Sequence, residues 1–245
     1  AGYPGFALRT TTSEFDGSTW TAGGTIGTGR DKPGGAGLQT SALGFGGSNP
    51  GTTAIANTEE YDGSTWTAGG SMSTARTALG SATNGTQTAA LGFAGNTPPF
   101  NTLSSATEEY DGSTWTAGGN LGTARSYLGG CGTQTAALGF GGYVGTTPPV
   151  TLSSATELFN GTTWTSSPVY PTPLWAGFGM GTQTDALVAA GVRNPSPSSP
   201  GTRTTNVNLW NGTTWTELNN LNTSRSTLRG AGTNTAALAF GGQTS

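Results

Sequence analysis

A seven-residue motif, aromatic–Asp/Asn–Gly–Ser/Thr–Thr–Trp–Thr, recurs five times, beginning at Phe15, Tyr61, Tyr110, Phe159 and Trp210. Its tryptophans are Trp20, Trp66, Trp115, Trp164 and Trp215, so the steps are 46, 49, 49 and 51 residues. That period is too long for a helical-pair repeat and suits one four-stranded propeller blade per repeat. Each motif also carries an Asp-Gly or Asn-Gly step, the strongest short-range hairpin signal, read as a type I′ turn with positive φ at both central residues. The acids and amides of these steps are therefore turn residues. The sequons at Asn160-Gly161-Thr162 and Asn211-Gly212-Thr213 have the same explanation.

The unbroken repeat argues for one domain over residues 1–245. With 43 glycines and 9% charged residues the chain would otherwise suggest disorder, but strict periodicity with Trp anchors argues for a fold. Net charge is −3, with Lys32 the one lysine, a poor footprint for nucleic acid. No apolar run approaches the length of a membrane-spanning helix. The single cysteine, Cys131, rules out an internal disulfide and reads as a small buried residue. The chain begins at Ala1 with no signal peptide visible, and is read as a processed or excised segment.

In the third full unit the expected strands are residues 123–130, 133–142 and 155–159, with a fourth opening at 163–165. Leu138 and Phe140 share one face by the two-residue period. Small residues in the second strand (Ala89-Ala90, Ala136-Ala137, Ala236-Ala237) suit blades converging on an axis. Large residues, Phe45, Phe93, Phe140 and Phe240 among them, would pack between blades.

An Arg series (Arg30, Arg76, Arg125, Arg225) enters the first strands, and a diglycine series ends the second. The latter comprises Gly46-Gly47, Ala94-Gly95, Gly141-Gly142, Ala190-Gly191 and Gly241-Gly242. With the aromatic-Asp step and the Trp, these elements resemble the kelch repeat over essentially the whole chain. The resemblance implies an all-β fold, a five-bladed β-propeller of four-stranded blades. The N-terminal third and fourth strands (residues 6–20) would then complete one blade with the C-terminal first and second strands (residues 225–240), removing exposed sheet edges. Ala1-Gly2 reads as the remnant of a further diglycine.

Histidine is absent, which excludes Ser-His-Asp and Cys-His catalysis and any His-ligated metal. The sequence implies no cofactor and no metal. A propeller glycosidase needs paired carboxylates across the central opening. Asp16, Asp62 and Asp111 are turn residues, and Glu14, Glu59, Glu60, Glu108, Glu109 and Glu157 fall in third strands. Asp31, Asp185 and Glu217 remain, and Asp185 stands out because its repeat-mates are Ser41, Ala89, Ala136 and Ala236. No catalytic residue is assigned, and a glycan-active enzyme ranks third.

Arg30, Arg76 and Arg125 match Glu59, Glu108 and Glu157, while Leu174 and Asn208 replace both charges together. This pattern predicts an intra-blade Arg–Glu pair, with ligand binding as the alternative. Loops between second and third strands vary and are Pro-stiffened, as at Thr97-Pro98-Pro99-Phe100. Their face is a candidate for recognition or simply a region of drift. The fifth unit departs most, with Tyr170 and Trp175 near the Arg position and Arg193 and Arg203 in its longest loop. Tyr170 and Trp175 form either a sugar platform, a packing adjustment or a contact to a neighbouring domain. Tyr170, Trp175, Arg193, Arg203 and Phe100 are the binding candidates.

The leading expectation is a non-catalytic structural or interaction module, engaging a protein or copies of itself through the loop face. Its composition looks like that of extracellular or virion-surface propellers used in adhesion, such as tail-fibre or capsid-associated ones. A carbohydrate-binding, lectin-like propeller is the alternative. Fold alone does not choose between them.

Overall fold

The computed structural model describes residues 8–49, 53–99, 102–145, 151–193 and 201–244. Ala1-Gly2 and Phe100 lie outside them. The first elements, β1 (Ser13–Phe15) and β2 (Trp20–Ala22), make a hairpin. The first blade follows as β3 (Gly34–Leu38), β4 (Ser41–Phe45), β5 (Thr58–Tyr61) and β6 (Trp66–Ala68). The second opens with β7 (Gly80–Ser81) and β8 (Ala90–Phe93), adds a loop hairpin of β9 (Asn96–Thr97) and β10 (Thr102–Leu103), and ends with β11 (Thr107–Tyr110) and β12 (Trp115–Gly118). The third is β13 (Gly129–Thr133), β14 (Ala136–Phe140), β15 (Thr156–Phe159) and β16 (Trp164–Ser167). The fourth opens with β17 (Phe178–Thr182) and β18 (Asp185–Ala189), adds a loop hairpin of β19 (Val192–Arg193) and β20 (Thr202–Arg203), and ends with β21 (Val207–Trp210) and β22 (Trp215–Leu218). A last hairpin pairs β23 (Arg229–Gly232) with β24 (Ala237–Phe240).

Within the described residues the propeller therefore has four four-stranded blades, and the expected five-bladed ring is corrected. The N-terminal and C-terminal hairpins are separate two-stranded sheets and do not complete a shared blade. Among the described residues they meet where Trp20 and Phe240 lie edge to face at 6.0 Å. The C-terminal hairpin also departs from the blades in its facing pairs. In the first three blades a glycine sits directly across the pair from a phenylalanine: Gly34↔Phe45, Gly80↔Phe93 and Gly129↔Phe140. A Cβ on any of these glycines would fall 2.2–2.4 Å from the ring. The fourth blade swaps the sizes, Phe178 opposite Ala189. The C-terminal pair is Arg229↔Phe240, large against large, and Phe240 is left exposed.

The first strand of the third unit starts later than expected. Residues 123–128 form the loop that carries Arg125, and the strand begins at Gly129. The motif turns also differ from a type I′ turn, because only the glycine is left-handed, as at Gly112 (φ 95°). The Asp111 carboxylate accepts hydrogen bonds from the backbone N–H groups of Ser113 (2.8 Å) and Thr114 (2.7 Å). This local side-chain bonding replaces the second left-handed residue. Asn160 and Asn211 do the same with their amide oxygens.

The core lies between blades, as the placement of the large residues predicts. One cluster joins Phe45 of the first blade to Met72, Tyr110 and Trp115 of the second. The next joins Phe93 to Leu121 and Phe159, and another joins Phe140 to Tyr170 and Trp210. Three motif tryptophan indoles reach back one blade, Trp115 donating to Thr58 (2.9 Å), Trp164 to Thr107 (2.9 Å) and Trp215 to Thr156 (3.2 Å), while the Trp66 indole N–H is buried without a partner among the described residues. Glutamines also reach back. The Gln134 amide donates to the carbonyls of Ala90 (3.1 Å) and Tyr110 (2.7 Å), and Gln87 and Gln183 repeat the pattern. The diglycine has a matching job. The N–H groups of Gly47 and Gly95 donate, each at 2.8 Å, to the carbonyls of Arg76 and Arg125 in the following blade.

Candidate functional site

The Arg–Glu pairs come together as the repeat predicts, and they are structural. Arg76 meets Glu108 at 2.5 Å and Arg125 meets Glu157 at 2.6 Å, with all four side chains buried; Arg30 meets Glu59 likewise. The other guanidinium nitrogen of Arg125 donates to the carbonyls of Gly141 (2.9 Å) and Ala155 (3.0 Å), tying strand ends together. Glu157 in turn accepts from the Gly122 N–H at 2.7 Å, fixing the loop before the strand. Burial pulls the pKa of Arg76 and Arg125 below the usual arginine value, and the partner carboxylates pull it back up. A buried charge with carboxylate and carbonyl partners is not available to a ligand. In the C-terminal hairpin Arg225 has the Gly241 carbonyl (3.1 Å) but no carboxylate among the described residues.

Tyr170 is 1% exposed and cannot serve as a sugar platform. It occupies the buried slot filled elsewhere by Met72, Leu121 and Leu221, and its hydroxyl accepts from Asn208 at 2.7 Å. The Tyr170–Asn208 contact thus stands where the other blades use Arg–Glu. Sequence reasoning put Leu174 at the Arg position and read Tyr170 as a departure from the Gly-Thr-Ala-Arg pattern. Counting six residues from each preceding Trp would have placed it with Ile26, Met72, Leu121 and Leu221. Asp185 is likewise structural: it accepts from Asn234 at 2.7 Å, and Asn234 stands at the glutamine position of its repeat.

Trp175 is half-buried on the loop face, stacked on Tyr143 (4.9 Å between centroids, 30° between planes) and edge-on to Tyr127 (5.2 Å). Lys32 lies 5.6 Å from the Tyr127 ring centre. The Trp175 indole N–H is buried without a partner among the described residues. Arg193 and Arg203 sit on adjacent strands and line one cavity of about 330 Å³ with Thr202, Thr204, Thr205 and Asn206. Arg203 donates to Gln243 at 3.2 Å. The structure thus brings Arg193 and Arg203 together, and Val192 joins them to the stacked Trp175 by pairing with both Trp175 and Arg203. Sequence reasoning missed the partners of Trp175, because Tyr127 and Tyr143 lie in a different repeat.

The inner strands enclose a further cavity of about 310 Å³, lined by glycines of β3, β7, β13, β17 and β23. At its mouth Lys32, Ala78, Tyr127, Ala176 and Thr227 are all left-handed, with φ from 52° to 54°. The N–H groups of Ala78, Tyr127, Ala176 and Thr227 each donate to the carbonyl of the preceding member, at 2.8–3.3 Å. Among the described residues no cluster of His, Cys, Asp or Glu has the makings of a metal centre. Cys131 is buried, and its thiol pKa is pushed up to about 12 by that burial.

No family model matches the chain, and no curated protein matches it by sequence. Among solved structures it is similar to one titled "Structure of YjhT", with a TM-score of 0.78 and 14% identity over 96% of this chain and 85% of that one. At this identity the likeness bears on the fold alone. With the blades described above, it establishes a β-propeller, while the kelch resemblance continues to rest on the repeat.

Proposed function

We propose that this chain is a non-catalytic propeller serving as an interaction module on an extracellular or virion surface. Its loop face would engage a protein partner or further copies of itself. The observation carrying this reading is how the carboxylates are used. Glu59, Glu108 and Glu157 pair with arginines. Glu14 and Glu60 accept from the hydroxyls of Tyr61 and Tyr110. Asp16, Asp62 and Asp111 close turns. Asp31 pairs with Lys32, Asp185 with Asn234 and Glu217 with Asn206. Glu109 stands apart, opposite the hydroxyl-less Phe159 in the position where Glu60 meets Tyr110, and burial raises its pKa. Hydrolysis of a glycoside needs two carboxyl groups facing one substrate, and these are spent on the frame. What varies from blade to blade is the loop face.

A second reading, carbohydrate binding, draws on the half-buried Trp175 with its unpartnered indole N–H beside Tyr127. A glycan array run alongside a panel of chromogenic glycosides tests both. Neither retention nor turnover is expected. Turnover of any glycoside overturns the proposal, and glycan retention that disappears in Trp175→Ala replaces it with the second reading.

A further inference from the structure

The residue that breaks the inner-strand pattern most sharply is Arg229. Its repeat-mates are Gly34, Gly80, Gly129 and Phe178. The three glycines are imposed by the phenylalanine across the ladder, as the ring distances above show. At β23 the chain places a guanidinium there instead, opposite an exposed Phe240. A packing role does not explain this choice, since it costs the size match that every other inner hairpin keeps.

Arg229 lines the axial cavity of about 310 Å³ and also the adjoining one of about 380 Å³, which contains Asp31, Lys32, Tyr127, Thr227 and Gln243. It keeps solvent contact inside that opening. Its one hydrogen bond among the described residues goes to the carbonyl of its own neighbour, Leu228, at 3.2 Å. It belongs to none of the ion pairs, unlike Arg30, Arg76 and Arg125. Asp31, the nearby carboxylate, is already held by Lys32 at 2.6 Å. The surrounding walls lower the guanidinium pKa and Asp31 raises it, while the side chain itself stays exposed to the opening. A solvent-reachable guanidinium that no carboxylate holds among the described residues has its planar fork of donors free for an anion. Around it stand Ser81, Thr83 and the polar backbone of the inner strands, whose outer neighbours leave one edge facing the axis. The cavity lies at the small end of ligand-site volumes.

We propose that the axial opening binds a small oxyanion, a carboxylate or a phosphate, through the Arg229 guanidinium. Planar two-point recognition by the guanidinium fork suits either group. This site adjoins the loop face at Lys32 and Tyr127 but depends on Arg229, so its failure would leave the interaction reading intact. The test is a calorimetric titration of the full chain with inorganic phosphate and, separately, with acetate. The expected result is saturable single-site binding of at least one probe, tighter than about 1 mM. Arg229→Gly should weaken it at least about tenfold, a loss expected when the one charged donor is removed. Glycine is the residue the first three blades carry there, so this variant is expected to fold, and Arg229→Gln provides a second variant that keeps the side-chain bulk. Arg9→Gln, at an exposed position that lines neither cavity, should bind like the parent. The stronger probe identifies the anion class. Absence of saturation by both probes, or binding unchanged in Arg229→Gly and Arg229→Gln, overturns the proposal.

Discussion

The β13–β14 hairpin of the third blade and the C-terminal β23–β24 hairpin are built from nearly the same pattern, yet they end in opposite environments. Leu138 and Phe140 are 0% exposed, whereas Leu238 and Phe240 are 52% and 36% exposed. The difference does not lie in hydrophobicity, since both hairpins carry Ala-Ala-Leu followed by Phe two residues later. It lies in what surrounds them. β14 continues its ladder into β15 and packs against the next blade, which brings Tyr170, Trp210 and Trp215 around Phe140. Among the described residues β24 has a ladder on one side only, and the aromatic ring beside Phe240 is Trp20, itself 56% exposed. A propeller strand is thus made a core strand by its neighbours, and the same side chains at the open end contribute little.

That contrast can be broken most severely at the arginines. Arg125→Ala leaves buried Glu157 uncompensated and should cost about 3–5 kcal/mol in urea unfolding. Arg225→Ala, with only a carbonyl partner, should cost less than about 1 kcal/mol. Equal losses would mean that the C-terminal hairpin is as well integrated as the third blade. Phe140→Ala should follow, at about 3–4 kcal/mol, while Phe240→Ala stays below about 1 kcal/mol in the same measurement. Gln134→Ala strands two carbonyls at the blade junction and should cost about 1–3 kcal/mol. Asn234→Ala removes an exposed contact and should fall within about 0.5 kcal/mol of the parent.

The smallest effect separates the motif turns by chemistry. Hydrogen bonds from Thr114 and Ser113 hold the Asp111 carboxyl well below the usual carboxylate range. A depressed folded-state pKa supplies stability that is present above about pH 4, near the unfolded value, and is lost as pH falls further. Asn160 makes the equivalent turn without a titrating group. Asp111→Asn should therefore show a shallower fall in urea midpoint between about pH 5 and pH 3 than the parent. An unchanged slope would remove the turn aspartates from the account of acid sensitivity. Cys131 offers a check on burial in the third blade. Its thiol should resist a soluble disulfide reagent until the chain unfolds, since the raised pKa keeps it protonated at neutral pH.

Several features of the site were legible because the chain supplies internal copies for comparison. The Arg–Glu pairs could be read from the joint loss of both charges at Leu174 and Asn208. The turn positions followed from the Asp-Gly and Asn-Gly steps, although the carboxylate bonding that shapes them depends on side-chain geometry. Tyr170 was misread because it was taken as a break in the Gly-Thr-Ala-Arg pattern and not matched to the apolar residue six places after each Trp. The pairing of Asp185 with Asn234 was hidden because the partners lie in different repeats and each looks anomalous alone. Arg229 escaped notice for a similar reason: a charged residue at an inner-strand position has meaning only once its glycine repeat-mates are known to face a ring.

The sequence by itself determined the blade. Turn chemistry, two-residue alternation and the spacing of Trp, Arg and diglycine act over short distances, so each repeat carries its own instructions. The ring was decided by tertiary structure. Closure depends on how accumulated inter-blade contacts bring distant ends together, and a mismatch such as Arg229 against Phe240 counts only when those ends meet. The repeat count therefore suggested five blades, whereas the ladders join four and leave two hairpins touching through a pair of rings.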